Sequence, residues 1–355
     1  MQAGTDVKKR RAADFAGPAA SFIITTLRIL ASVILTLFGL LVVTFLIGRV
    51  VPIDPVLAVV GDRATAEVYE RVRQELGLNL PLWQQFAVYA SKVLHGDFGR
   101  SVLTTNPVIK DIARFFPATI ELATIATFLG VTIGIPTGVL AAVHRGKPFD
   151  HVVRVLGLAG YSIPVFWLGL VGLLLFYAKL GWVAGPGRID VAFDDLVDPI
   201  TGVLLIDAAL SNEWEAFWNA LRHIILPASI LGYFSLAYVS RMTRSFMLEQ
   251  LRQEYITTAR VKGVPEWRVI WRHALGNMAV PLVTVIALSY ANLLEGSVLT
   301  ETVFAWPGIG SYITNSLLNA DMNAVLGGTI VIGVTFVGVN LLSDLLYRLL
   351  DPRAR

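Results

Sequence analysis

The chain has 355 residues, 55% of them hydrophobic and only 15% charged, with a mean hydropathy of +0.65. Soluble domains run near 45–50% apolar and about 25% charged, so a water-soluble globular enzyme is excluded in practice. The aromatic content of 10% and the aperiodic Gly and Pro exclude disordered and collagen-like chains. There is no Cys, which removes disulfides, thiolate–zinc sites and thiol catalysis.

Residues 1–27 read as a basic tail. Six uncharged runs are then long enough to cross about 30 Å of hydrocarbon, which takes roughly 17–25 residues. They are Ile29–Gly48, Leu122–Val143, Val155–Ala178, Ile224–Ser240, Ala274–Leu294 and Met322–Ser343. The alternation expected of barrel strands is weak, so the runs predict helices. The first is longer than the apolar core of a signal peptide, and Arg49-Val-Val-Pro52 offers no small-residue cleavage site, so it reads as a start-transfer anchor. The loop 52–117 carries two helical patterns, Ala66–Leu76 and Pro81–Leu94, the second with Leu82, Phe86, Tyr89 and Val93 in 3–4 spacing. Gly130, Gly134 and Gly138 make two overlapping GxxxG steps in the second run, which suit close helix packing. Pro136 and Pro164 are expected to kink their helices, with a pore role as the alternative for either. The loop 179–222 is acidic, with Asp190, Asp194, Asp195, Asp198, Asp207, Glu213 and Glu215 against Lys179, Arg188 and Arg222. The segment Glu301–Asp321 holds Trp306-Pro-Gly-Ile-Gly310, a turn leading into a short helix.

With the N-terminus placed inside, 18 of the 29 Lys and Arg fall in inner segments. Eight fall between the first two runs, Arg49 and seven in the long loop 52–117, where charge counts for little, and 3 in the remaining outer loops. Both termini are therefore expected inside.

The most informative stretch joins the fourth and fifth runs, from Glu254 to Leu275. It reads as helix, break, helix, with Gly263 suited to a left-handed position after the first helix and Pro265 to the first turn of the second. Leu248, Leu251, Tyr255 and Ala259 share one face of the first piece. Trp267, Ile270, Trp271 and Ala274 share one face of the second, while Arg268, Arg272 and His273 point elsewhere. A bent basic pair with an apolar face either lies on lipid or fills a groove on a partner.

This stretch resembles the EAA coupling loop of ABC-importer permeases. Thr257-Thr258-Ala259 stands at the EAA, Gly263 at its glycine and His273-Ala274-Leu275-Gly276 at the I-x-L-P. It is closer to the form EDYxRTARAKG…RHALRN of dipeptide/oligopeptide permeases, matched by Glu254, Tyr255, Thr258, Ala259, Arg260, Lys262, Gly263, Arg272, His273, Ala274, Leu275 and Asn277. Asp54-Pro55, Leu76-Gly-Leu78, Gly96-Asp-Phe-Gly99, Ser162-Ile-Pro-Val-Phe-Trp-Leu-Gly169, Ile225-Leu-Pro227 and Glu301-Thr-Val-Phe-Ala-Trp-Pro-Gly308 follow in the family's order. The long first loop is similar to that of the B-type subunit.

The resemblance implies an all-α polytopic membrane protein of the type I importer permease fold, with six transmembrane helices and both ends inside. Its parts would be tail 1–27, helix 1 over 28–51, extracytoplasmic loop 52–117, a core over 118–349 containing the coupling loop 241–277, and tail 350–355. It implies a homologous C-type permease partner, two cytoplasmic ATPases that carry ATP and Mg2+, an extracytoplasmic binding protein, and a place in the bacterial cytoplasmic membrane. Coupling would fall to Glu254, Tyr255, Thr258, Ala259, Arg260, Gly263, Trp267 and Arg268. Peptides are the implied cargo, and nickel, glutathione and oligosaccharides are the alternatives within the same architecture.

The residues themselves add one independent point. No G-x-x-x-x-G-K-[ST] loop occurs, because Gly146-Lys147 is followed by Pro148 and lacks the upstream glycine. His95, His144, His151, His223 and His273 form no HExxH pair, and no G-x-S-x-G elbow is present. The chain therefore reads as a transport subunit with no catalytic residue, metal ligand or cofactor of its own, and with no nucleic-acid role. An ion-coupled transporter would need charged groups at mid-depth. Glu121 and Glu295 are the candidates, each placed to anchor at the interface or to line the substrate path beside Asn292, Tyr290 and Ser289.

Overall fold

The computed structural model describes residues 18–50, 55–61, 63–75, 77–194 and 196–350. The basic cluster Lys8–Arg11, Asp54, Leu76, Asp195 and residues 351–355 lie outside the described residues. All regular elements among the described residues are helical: α1 (Pro18–Val50), α2 (Pro55–Val60), α3 (Ala66–Glu75), α4 (Leu82–Leu94), α5 (Val108–Val143), α6 (Pro148–Ser162), α7 (Val165–Lys179), α8 (Leu204–Leu210), α9 (Trp214–Gln250), α10 (Glu254–Val261), α11 (Glu266–Gly296), α12 (Val298–Val303), α13 (Ile309–Leu318) and α14 (Met322–Leu350). Of these, α1, α5, α9, α11 and α14 contain stretches long and apolar enough to cross a bilayer.

Five of the six uncharged runs lie inside longer helices. A run without charge marks the hydrocarbon, but a nucleated helix keeps gaining a backbone hydrogen bond per residue as it continues into the interface. Thus α5 has 36 residues, a length of about 54 Å, and begins at Val108 with Pro117 inside it. The first long loop ends at Pro107 as a result, and α1 reaches back to Pro18, into the expected tail. Within that loop α3 and α4 fall where the apolar spacing predicts them. Phe86 of α4 meets Phe38 and Phe45 of α1 edge-on, and Tyr89 donates to Thr44 Oγ1 at 2.9 Å. Leu82 of the expected stripe faces outward instead.

The third run is not one helix. Pro164 lacks an N–H, and Ile163 before it is extended at φ −91°, ψ 126°, as the residue preceding a proline prefers. α6 and α7 meet there at 101°, a corner and not a kink. Each limb has 15 residues, about 22 Å, and is too short to cross alone. Among the described residues five helices are therefore long and apolar enough to cross, or six if the bent pair counts as one broken span. Pro136, by contrast, stays within a continuous α5.

The core forms where α5 and α9 pass closely. A Cβ on Gly130 would meet Ser235 Oγ and lie 2.9 Å from Leu236 N, one on Gly134 would lie 3.2 Å from Val239, and one on Gly138 would lie 2.7 Å from Thr243 Cβ. The two GxxxG steps are thus the packing face against α9. Beside them Ala118, Leu122, Ala123 and Ala126 pack on Ile224, Ala228 and Leu231, with Leu293 and Leu294 of α11 and Trp306 closing the cluster.

Adding one methyl at this crossing should destabilise by about 1–3 kcal/mol through overpacking. The thermal midpoint of the purified chain in detergent, followed by tryptophan fluorescence, should therefore fall for Gly130→Ala. Gly39→Ala on α1, where the added atom meets nothing within 4 Å, should leave the midpoint unchanged.

Candidate functional site

The segment between α9 and α11 folds as its glycine dictates. Gly263 sits at φ +76°, its N–H bonds Arg260 O at 2.9 Å, and Val264 N–H bonds Ala259 O at 3.1 Å. This pair of bonds is a Schellman close to α10, with Val264 packed beside Ala259 on one apolar cluster. Pro265 then serves as the N-cap of α11, one position earlier than the sequence suggests. Arg260 spans the turn and holds Glu266 with two bonds, of 3.1 Å from Nε and 2.6 Å from Nη2.

The face that α10 buries is centred on Ile256, which is fully enclosed. Around it lie Val139 of α5, Met247 of α9, and Val269, Ile270, Ala274, Met278 and Leu282 of α11, with Leu248, Leu251, Tyr255 and Ala259 packed against them. Tyr255 also donates to Gln250 Oε1 at 2.8 Å. One expectation is overturned here. Trp267 and Trp271 are exposed, at 61% and 39%, and do not share the face of Ile270 and Ala274. The cause is local: Val269–Ala274 winds as a π-helix, whose i→i+5 register brings Val269 over Ala274 and turns Trp271 out, while Trp267 lies in the α-helical first turn ahead of it. Tyr255, Ala259 and Ile270 therefore face the chain's own spans. Glu254, Thr257, Thr258, Val261, Lys262, Trp267 and Arg268 form the outward surface, and Arg252, Glu254, Thr257, Thr258, Val261 and Lys262 line a shallow hollow of about 390 Å3 on it.

The opposite end of the bundle is tied by buried carboxylates. Glu301, fully buried, accepts from Thr119 Oγ1 at 2.7 Å, Ser297 Oγ at 2.9 Å and Ser311 N at 2.9 Å. Trp306 Nε1 donates to Ala118 O at 2.9 Å, and Ile309 N to Thr119 Oγ1 at 2.8 Å. Gly308 and Gly310 leave the space this carboxylate occupies. Sequence reasoning passes over Glu301, although its place in the Glu301–Gly308 motif is the signal that marks it. Glu121 is likewise buried. It accepts from Arg188 Nη2 at 2.6 Å and Nε at 3.0 Å, and from Leu205 N at 2.8 Å, which caps α8. It is an anchor for the acidic loop.

Two more of that loop's acids are committed internally. Asp207 accepts from Thr201 and Gly202. Asp190 bonds Asn219 Nδ2 at 2.6 Å and lies 3.3 Å from buried His223. The Asn219 amide, outweighing burial, holds Asp190 below the usual carboxylate range, and the His223 charge adds to this. A lowered folded value means this tether is intact at neutral pH and is lost only as pH falls through that value.

The residues expected along the substrate path divide in two. Ser289 is buried and bonds Ser235 Oγ at 2.9 Å, joining α11 to α9, while Tyr290 OH lies 3.2 Å from Thr124 Oγ1 against the main core. Asn292 and Glu295 are exposed on the other side of α11, one turn apart. The four do not line one surface. Among the described residues no group of three or more His, Asp or Glu is placed to hold a metal ion.

Residues 134–355 match the family model described as "Binding-protein-dependent transport system inner membrane component", and residues 21–123 match its companion N-terminal model. The chain belongs to this family. It is a multi-pass membrane protein of the type I ABC-importer permease class. It is 46% identical over 323 residues to the probable D,D-dipeptide transport system permease protein DdpB of Escherichia coli K12, covering 90% of this chain and 94% of that one. It is 42% identical over 329 residues to the di/tripeptide transport system permease protein DppB of Pseudomonas aeruginosa UCBPP-PA14, covering 92% and 97%. Among solved structures, an inward-facing MetNI methionine ABC transporter chain aligns with a TM-score of 0.47 at 17% identity over 66% of this chain and 93% of that one.

Glu121 owes its importance to geometry. Its side chain is 2% exposed and that of Arg188 15%. Removing one partner of such a buried pair costs about 3–5 kcal/mol. Glu121→Leu should therefore open residues 183–203 to limited proteolysis and lower the thermal midpoint. Glu266→Gln at the exposed Arg260 pair should shift stability by about 0.2–1 kcal/mol only.

Proposed function

We propose that this chain is one of the two membrane subunits of an ATP-driven importer of short peptides in the bacterial cytoplasmic membrane. The observation that carries the reading is the pair of peptide-permease relatives at 46% and 42% identity, each aligned over at least 90% of both chains. A C-type permease would complete the translocation path, two ATPase chains would bind ATP and Mg2+, and a binding protein would deliver the peptide. The chain itself would do no chemistry.

In this reading the α10 end is cytoplasmic and the Trp306 end faces out. An ATPase would seat on the outward surface of α10 and the start of α11, against Glu254, Thr258, Trp267 and Arg268, with Arg260 holding the turn in shape. Tyr255, Ala259 and Gly263 would act from behind, fixing that surface to the spans. ATPase closure would move this unit, and the two permeases would alternate between outward and inward openings. Asn292 and Glu295, on the exposed face of α11, would meet the partner permease or the path between the two.

Liposomes holding the assembled complex, supplied with loaded binding protein and ATP, should accumulate labelled dialanine. Accumulation of nickel or an oligosaccharide in its place would overturn the peptide assignment. Reporter fusions after Val261 should read cytoplasmic and fusions at Asp198 external.

Gly263 tests the coupling. A Cβ there meets nothing within 4 Å, so the cost of Gly263→Val lies in the left-handed backbone alone, about 1–2 kcal/mol. The variant should assemble with its partners yet lose peptide-stimulated ATP hydrolysis, while Gly263→Asn, which tolerates that region, should retain most of it. Unchanged stimulation with Gly263→Val would defeat the coupling role of this turn.

A further inference from the structure

A cavity of about 800 Å3 opens between α6 and the α10-proximal half of α9, and borders the hollow on the outward side of α10 at Arg252. Five guanidinium groups line it, Arg145, Arg154, Arg241, Arg244 and Arg252, against one carboxylate, Glu249. Two of the five are satisfied from below. Buried Asp150 accepts from Arg244 at 2.6 Å and 2.9 Å and lies 3.7 Å from Arg154, and it is itself fixed by Gly146 N at 2.9 Å. Among the described residues no carboxylate lies within 4 Å of Arg145, Arg241 or Arg252. Arg241 is nevertheless held in place. Its guanidinium sits 4.6 Å from the centre of the Tyr161 ring and 6.0 Å from that of Tyr238, and it donates to Tyr161 OH at 3.2 Å.

We propose that this cavity binds the phosphate headgroup of an anionic phospholipid of the inner leaflet. Three unpaired cations in one hollow repel each other, and an anion between them removes that repulsion. Arg prefers phosphate because its planar fork meets two oxygens at once. The choice of a lipid phosphate over a free one rests on the remaining wall. Val153, Gly157, Leu158, Ala237 and Leu248 are apolar, and Leu158 continues into Val152 and Val155, which α6 leaves 53% and 65% exposed. A free phosphate has no use for that surface, whereas an acyl chain covers it. Basic pockets between helices on the cytoplasmic side suit such headgroups. The proposal rests on the α10 end being cytoplasmic, which the fusion after Val261 decides separately.

Gly157 supplies a clean test, because a Cβ there meets nothing within 4 Å. Gly157→Leu should fill the hollow while leaving every charge in place. The assembled complex, stripped of lipid in detergent, would be titrated with short-chain phosphatidylglycerol, with phosphatidylcholine of the same chains, and with inorganic phosphate, and bound molecules counted by native mass spectrometry. One phosphatidylglycerol should bind saturably and in preference to phosphatidylcholine. The double variant Arg241→Gln/Arg252→Gln should weaken it about thirtyfold, at about 1 kcal/mol per charge. Gly157→Leu should weaken it at least as much. Thermal midpoints of both variants would identify any simple loss of folding, and Gly157→Leu, which adds a good helix former, is expected to keep its midpoint. Wild-type binding by Gly157→Leu would show diffuse charge attraction and overturn the site. Equal binding of both lipids would overturn the charge argument. Inorganic phosphate binding as tightly as the lipid would assign the cavity to a free anion and overturn the lipid proposal. The binding readout needs no transport, so its failure leaves the importer reading untouched.

Discussion

The α5–α9 crossing is the constraint on which the other features depend. Lipid gives helices no hydrophobic reason to associate, so backbone proximity and hydrogen bonding must hold them. Glycines 130, 134 and 138 let α5 lie against Ser235, Val239 and Thr243. Both helices are longer than a bilayer is thick, at 36 and 37 residues, so they emerge at both ends as one stiff pair. A buried carboxylate network closes one end of the pair, and a buried apolar socket closes the other.

Three buried carboxylates, two at the first end and Asp150 near the second, show how a membrane chain keeps such groups out of lipid. Glu301, Glu121 and Asp150 are each almost wholly buried, and each is met by several donors. Glu121 and Asp150 have arginine partners, while Glu301 is held by neutral hydroxyl and amide groups only. All three tie segments far apart in sequence: residue 301 to 119, 121 to 188 and 150 to 244. In each case removing the carboxylate would leave its donors without a partner, which makes these positions structural joints.

Most of the architecture is legible in the sequence, because hydrocarbon thickness sets the length of an uncharged run and the glycine spacing names the crossing face. Five of the six runs locate α1, α5, α9, α11 and α14 directly. What the runs cannot express is direction. Val155–Ala178 has the composition of a span, and only the backbone restriction that Pro164 places on Ile163 turns it through 101°. The segment between α9 and α11 divides in the same way. Gly263 and its turn follow from conformational rules that act locally. The outward aspect of Trp271 follows from a π-helical turn that no 3.6-residue periodicity contains. Ser289 and Tyr290 share a helix with Asn292 and Glu295, and their separation depends on where α9 and α5 lie, which is tertiary information.

The inward packing of α10 changes how a push on it must travel. Had its apolar face been free, a partner could have gripped the helix without moving the spans. Instead Ile256 is enclosed by side chains from α5, α9 and α11 together. A close-packed interior transmits displacement because it has no empty space to absorb it. The Schellman turn and the Arg260–Glu266 pair then fix the angle between α10 and α11. A load applied to the exposed side of α10 therefore reaches three crossing helices at once, and the stiff α5–α9 pair carries it toward the joints at Glu121 and Glu301. The polar groups at those joints are satisfied in the present arrangement, so any movement of the pair either carries them as a unit or breaks their bonds. The tight network around Glu301, closed by Gly308 and Gly310 leaving no room for another atom, favours movement as a unit, with the bend at Ile163 and Pro164, where proline brings no backbone donor, as a place where the chain can give.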